Sequence, residues 1–233
     1  MDGVPREVRL YDTTLRDGMQ QEGMSVSVDE KVRIAQKLDE LGVHYIEGGF
    51  PASNPKEVAF FERMRTVPLR NAEIVAFGMT RRRGVKAEDD AALRVLADAW
   101  PRTVCIVGKT WKLHLSKVLH VSPDENLRMI ADSIRYLTSC GKQVFYDAEH
   151  FFDGFRDDPQ HAVAAVRTAA DAGAALVCLC DTNGATLPLD LAETVRAVRA
   201  AGDVPLGVHV HNDGDCAVAN SLVAVEAGAC QVQ

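Results

Sequence analysis

The stretch Gln143–Cys180, QVFYDAEHFFDGFRDDPQHAVAAVRTAADAGAALVCLC, contains the repeating logic of the whole chain. Gln143–Asp147 is a short apolar run of the kind found in a strand buried on both faces. Asp158-Pro159 then offers a side-chain cap followed by proline at the first helical position, where its missing N–H has no partner to lose. The spacing predicts a helix over Pro159–Ala172, stopped by Gly173, and a second apolar run, Leu176–Cys180, follows at once. Strand, helix and next strand within about thirty residues is the size of one parallel crossover unit.

The same unit recurs outward in both directions. Further strands are predicted at Val8–Tyr11, Tyr45–Gly48, Glu73–Phe77, Thr103–Val107 and Leu206–Val210. Further helices are predicted at Asp29–Leu41, Pro55–Thr66, Ala87–Asp98, Pro123–Cys140, Pro188–Ala201 and Asp215–Ala227. Ser122-Pro123 repeats the start signal, with Glu125 adding acid to the first turn, and Leu187-Pro188 keeps only the proline. Gly42, Gly141, Gly202 and Gly228 read as helix stops. An eighth strand begins at Cys230–Gln233. No G-x-G-x-x-G follows the first strand, which argues against a doubly wound open sheet. The expected fold class is α/β: a (β/α)8 TIM barrel, incomplete, with about seven β-α units and the start of strand eight. One barrel domain over residues 1–233 is expected, cut before its last helix, leaving an unpaired sheet edge and the exposed apolar flanks of the first and seventh strands.

At 233 residues and 47% hydrophobic content, the chain can bury a large core in one α/β domain. A net charge of −7 excludes a nucleic-acid footprint. Arg81-Arg82-Arg83 before Gly84 reads as a solvated loop, with capture of an anionic substrate tail as the other reading. The start Met1–Pro5 is short and polar. Neither a secretory leader nor an apolar stretch long enough to span a bilayer is read, so no membrane partner is expected. Six scattered cysteines without a C-x-x-C pair read as reduced thiols of a cytoplasmic protein. Cys178 and Cys180 share a strand face, but their continuous apolar run reads as core packing rather than soft-metal ligation.

The chemistry concentrates at strand ends. His209-Val210-His211 closes an apolar run, and residues two apart on a strand point to one face, so two imidazoles aim at one point. Asp17 follows the first strand beside Arg16. On one parallel barrel these ends meet at the same face, where barrel enzymes keep their active sites. One oxygen and two nitrogen ligands suit Mg²⁺, Mn²⁺, Fe²⁺, Co²⁺ or Zn²⁺, and with a free coordination position such an ion polarises a carbonyl. Asn212 or Asp213 is expected to orient an imidazole. The other strand ends bring Glu47, Lys109, Asp147, Glu149, His150, Asp181 and Thr182 to the same mouth. Carboxylates at this density require cations or protons to offset them.

These residues resemble those of the Claisen-condensing and lyase superfamily that includes 2-isopropylmalate, homocitrate and citramalate synthases and HMG-CoA lyase. The resemblance covers essentially the whole chain and rests on D-T-T-L-R-D-G at Asp12–Gly18 and H-V-H-N-D at His209–Asp213, running on into Ala217–Asn220. The citramalate synthase branch is the most similar, through Tyr45–Gly49, Gly108–Trp111, Phe145–Gly154 and Asp181–Gly184. The resemblance implies that Asp17, His209 and His211 bind a divalent metal (Mn²⁺, Mg²⁺, Zn²⁺ or Co²⁺) that chelates a 2-oxo acid. It implies that Arg16 binds substrate and stabilises the developing alkoxide, that Thr182 holds the substrate carboxylate, and that Glu149 is a catalytic group lining the pocket. Asp147 and Glu47 are implied as further substrate-site positions, with Asp12 and Glu47 as orienting groups. Glu149, Asp147 and His150 all remain open as the base. The implied reaction joins acetyl-CoA to a 2-oxo acid, with pyruvate giving (R)-citramalate on the route to isoleucine, in a homodimer at full length. Another 2-oxo acid, an aldol-type lyase reaction and an inactive metal-binding fragment are the alternatives. The family's G-E-R-x-G-N loop after strand eight, its lid and its regulatory domain lie beyond this sequence.

Overall fold

In the computed structural model of the chain, residues 7–51 and 53–233 are described. The polar start Met1–Pro5 lies outside them. The strands are β1 Arg9–Asp12, β2 Tyr45–Gly49, β3 Glu73–Met79, β4 Thr103–Lys109, β5 Gln143–Glu149, β6 Leu176–Asp181, β7 Leu206–Val210 and β8 Gln231–Val232. The helices are α1 Val28–Leu41, α2 Pro55–Met64, α3 Ala91–Asp98, α4 Lys112–His114, α5 Pro123–Ser139, α6 Phe151–Asp157, α7 Pro159–Asp171, α8 Pro188–Ala200 and α9 Ala217–Glu226. The strands run parallel in the order β1 to β8 and close into a barrel.

That closure corrects the expectation of an incomplete barrel. β8 is only two residues long, yet it pairs on both sides: Gln231 and Val232 face Arg9 and Leu10 of β1 and Gly207 and Val208 of β7. Flanking bonds extend the seam, with Arg9 N–H donating to Cys230 O at 2.8 Å and Gln233 N–H to Val208 O at 2.9 Å. A strand inside a closed sheet needs only enough residues to satisfy its neighbours' backbone groups, so this short segment removes the open edge.

Period-two alternation sorts the strand side chains into two layers. Ile46, Ile74, Val104, Ile106, Val177 and Val208 face outward into the helix-packed core. Tyr11, Tyr45, Val75, Cys105, Phe145 and Cys178 fill the barrel interior, where Tyr45 and Phe145 meet edge-on at 5.1 Å. This inner layer is the floor on which the site stands.

The caps read from sequence are present. Ser122 accepts from Glu125 N–H at 3.2 Å and Asp158 from His161 N–H at 3.0 Å. Four of the glycine stops, Gly42, Gly141, Gly173 and Gly228, adopt the left-handed conformation, whereas Gly202 does not. The helix expected over Ala87–Asp98 breaks at Asp90, whose carboxylate accepts from Ala92 and Leu93 N–H and restarts the chain as α3. Arg81, read as solvated, is buried and ion-paired to Glu125 at 3.0 Å and Asp132 at 2.9 Å on α5. No helix among the described residues is long and apolar enough to cross a membrane.

One buried carboxylate ties α1 to the loop before β3. Asp39 accepts from the backbone N–H groups of Arg70, Asn71 and Ala72 at 2.7–3.0 Å. Burial pushes its pKa up, but these hydrogen bonds outweigh that and hold it below the usual carboxylate value. Asp39→Ala is expected to cost about 3 kcal/mol in chemical denaturation, because the donors lose their acceptor. Since the folded pKa is depressed, this contribution is complete above about pH 4 and fades as pH falls through the folded value. Wild type and variant stability curves therefore converge in acid.

Candidate active site

A tight turn after β1 starts the site. Thr13 O accepts from the N–H groups of Arg16, Asp17 and Gly18 at 2.8–3.1 Å, while Asp12 accepts from Thr14 N–H at 2.9 Å. The turn swings Arg16 and Asp17 over the barrel mouth. There the Asp17 carboxylate meets the two imidazoles at the end of β7: Oδ2 lies 3.4 Å from Nε2 of both His209 and His211, and the two Nε2 atoms are 3.0 Å apart. The loops after β6 and β7 interlock, with Gly214 N–H donating to Gly184 O at 2.8 Å. Gly184 has φ +61°, and a side chain there would meet Asp213 Oδ2 at 2.6 Å, so glycine is required.

These groups face a cavity of ≈ 280 Å³ lined by Arg16, Asp17, Asp147, Glu149, Thr182, His209 and His211. Phe77, Val107, Cys180 and Gln20 complete its wall; of these only Cys180 is weighed from sequence, and it is read there as core packing. Phe77, Val107 and Cys180 are inward positions of their strands, so alternation alone could have nominated them. Thr182 Oγ1 accepts from His150 N–H at 2.9 Å. Glu149 forms an ion pair with Lys109. Glu47 lies behind Arg16 rather than on the cavity wall: Tyr11 Oη donates to its Oε1 at 2.7 Å and Arg16 Nε donates to its Oε2. Asp12 is spent on its own turn, and His150 packs edge-on against His114 at 4.5 Å, with Nδ1 3.3 Å from Asp153. Neither lines the cavity. Asn212 caps α9 by accepting from Ala217 N–H at 3.1 Å.

The partner of His209 Nδ1 is instead Gln233 Oε1, at 3.1 Å. The neighbouring contact sets the orientation of this amide: Gln233 Nε2 donates to Gln231 Oε1 at 3.1 Å, so Gln233 Oε1 accepts Nδ1–H. His209 is thereby oriented through Nδ1, and its Nε2–H faces Asp17. Burial opposes the charged imidazolium, but the Asp17 and Asp147 carboxylates outweigh it and raise the His209 pKa, so Nε2 would lend its lone pair only to a cation that displaces the proton.

Charge is distributed by burial and by Arg16. The His209 hydrogen bond, aided by the Arg16 charge and opposed by partial burial, holds the Asp17 carboxyl down at about 2. Burial opposes the Arg16 charge, but the adjacent Glu47 outweighs it and raises the guanidinium further. Arg16 also stacks over Phe77, 4.1 Å from the ring centroid. Burial pushes Glu47 and Asp147 up, against the pull of Arg16 on both and of His209 on Asp147. A carboxylate held ionised, an imidazole oriented through its Nδ1 and a second imidazole beside it form a convergent O,N,N donor set on an accessible wall. That set fits a divalent cation of borderline softness.

The closed (β/α) barrel thus carries, at the carboxyl end of its strands, a donor set able to hold a divalent cation with a guanidinium beside it. The HMGL-like family matches residues 7–233, and the chain belongs to it. It is 53% identical over 226 residues to (R)-citramalate synthase of Geobacter sulfurreducens, covering 97% of this chain and 43% of that protein. It is 50% identical over 232 residues to (R)-citramalate synthase of Synechocystis, covering 96% of this chain and 42% of that protein. The chain thus spans less than half the length of these curated relatives. Among solved structures, hydroxymethylglutaryl-CoA lyase from Pseudomonas aeruginosa superposes with a TM-score of 0.79 at 21% identity, over 98% of this chain and 76% of that one. At that identity the likeness speaks for the fold.

Proposed function

We propose that the chain carries the catalytic barrel of a metal-dependent Claisen condensation between acetyl-CoA and a 2-oxo acid, with pyruvate giving (R)-citramalate. The observation that carries this reading is the convergence of Asp17, His209 and His211 beside Arg16 in one small cavity. Asp17, His209 and His211 would hold the cation, which when bound supplies Lewis-acid polarisation of the oxo group. Arg16 directs its guanidinium at the oxygen where negative charge develops as the carbon–carbon bond forms. Glu47 and Phe77 keep that guanidinium in place. Thr182 hydrogen-bonds the substrate carboxylate.

A second cavity of ≈ 560 Å³ adjoins the first and shares Val107 and Glu149 with it. Arg82, Arg83 and Lys109 line it together with Met79, Val118 and Met129, a mixture suited to an anionic ligand with an apolar arm. This reading places acetyl-CoA there, so Glu149 stands at the junction and takes the proton from the acetyl methyl group. The resulting carbanion adds to the oxo carbon, and water then cleaves the thioester and releases CoA. Arg83→Glu is expected to raise KM for acetyl-CoA about tenfold with KM for pyruvate unchanged, read from initial rates over both substrates.

Gln233 acts through His209. Gln233→Leu is expected to weaken Mn²⁺ binding by about 10–100-fold in calorimetry, while Gln233→Glu, which keeps the acceptor, binds at least as tightly as wild type. The test of the reading itself is release of free CoA from acetyl-CoA, dependent on both pyruvate and Mn²⁺. Thioester cleavage that ignores pyruvate would contradict it.

A further inference from the structure

The barrel interior holds a second group of ligand-type side chains, to which the condensation proposed above assigns no step. Asp147 on β5 and Cys178 and Cys180 on β6 bring a carboxylate oxygen and two sulfurs within 4.8 Å of one another, and all three residues are buried. The strands account for this placement. Asp147 pairs in register with Cys178, and Cys180 lies two residues on, so all three side chains point to the barrel axis. Cys105 on β4 adds a third sulfur within 4.8 Å of the same carboxylate.

A second observation points to a ligand. Asp147 is only 3% exposed, and although Cys105 and Gln233 stabilise its carboxylate, its Oδ1 has no hydrogen-bond partner among the described residues. A buried carboxylate oxygen without a donor is costly, and a bound cation removes that cost. Two thiols and one carboxylate form the donor set of a thiophilic ion with a tetrahedral preference, not of Mg²⁺ or Mn²⁺, which favour oxygen.

We propose that Asp147, Cys178 and Cys180 form a second cation site, selective for thiophilic divalent ions such as Cd²⁺ and Zn²⁺, in the floor beneath the Asp17–His209–His211 group. Asp147 and Cys180 also line the ≈ 280 Å³ cavity, so the ion enters by the substrate's route. On binding, each thiol exchanges its S–H bond for an S–metal bond, and two protons leave to solvent per ion. Occupancy inhibits the condensation, because a dication then sits in the wall that Arg16 shares. The site itself rests on the side-chain geometry alone; only the inhibition depends on the proposed function.

Cd²⁺ is the probe, because thiolate ligation produces a charge-transfer absorption that carboxylate and imidazole ligation does not. The titration uses protein with the exposed Cys140 and the half-buried Cys216 changed to serine, and saturating Mn²⁺. The expected result is a band that saturates at one equivalent, survives Asp17→Ala and disappears in Cys178→Ser/Cys180→Ser. Absence of the band, or its persistence in the double variant, overturns the proposal. Cadmium NMR on the protein with both β6 cysteines intact gives a reading that does not depend on how that variant folds. A strongly deshielded resonance of sulfur coordination supports the site, and one at nitrogen–oxygen shifts overturns it.

Discussion

Arg16→Gln is expected to lower kcat for CoA release by about 10²–10³-fold while Mn²⁺ affinity stays within about threefold of wild type. The guanidinium is held on three sides: Nε donates to Glu47, Nη1 donates to Asp17 Oδ1 at 3.2 Å, and the ring of Phe77 lies beneath it. What remains faces the cavity, where an alkoxide would develop. A donor already in place when charge appears has no reorganisation to undergo, and its loss corresponds to about 3–4 kcal/mol of transition-state stabilisation. Lysine is a poor substitute, because a point charge cannot span Glu47 and Asp17 and still reach the substrate. The variant also leaves Glu47 buried without its cation, so the thermal midpoint falls as well. Arg16→Gln combined with Glu47→Gln separates the two effects: stability recovers and kcat does not. Steady-state rates, a melting curve and a Mn²⁺ titration on the same preparations decide between this and a purely structural role.

Asp17→Ala is expected to abolish stoichiometric Mn²⁺ binding and, with it, pyruvate-dependent CoA release. Asp17 is the only anionic member of its donor set, and its charge is present throughout the neutral range because its pKa lies near 2. The loss should exceed the 10–100-fold penalty of removing an outer partner such as Gln233. The side chain is a fifth exposed and sits in a loop, so the barrel itself should keep its melting temperature within about 3 °C. A fold that survives without metal binding distinguishes the loss of a ligand from the loss of the scaffold.

Much of this was legible in the sequence for local reasons. Ser122-Pro123 and Asp158-Pro159 start helices by contacts within three residues, and His209 and His211 share a face because a strand alternates. What escaped reading depended on distant partners. Arg81 looks solvated in a run of three arginines, but Glu125 and Asp132 reach it from 44 and 51 residues away. Gln233 acquires its role from His209 across the last seam of the barrel, and Asn212 and Asp213 only appeared nearer in sequence. Two helical pieces were missed because they are too short to show a period: α4, which runs into a π-helical turn at Leu115–Leu119, and α6, which starts after the left-handed His150. Barrel closure escaped for a related reason. The eighth strand is read at Cys230–Gln233, but so short a segment carries no signal of its partners, and only its pairing with both β1 and β7 shows that it closes the sheet.

The most direct test of the central claim is a Mn²⁺ titration of the wild-type chain beside Asp17→Ala and His211→Ala, with free Mn²⁺ followed by electron paramagnetic resonance. One bound equivalent in wild type, lost in both variants, is the predicted result. Binding of one equivalent with unchanged affinity in both variants would place the ion elsewhere and contradict the site as described.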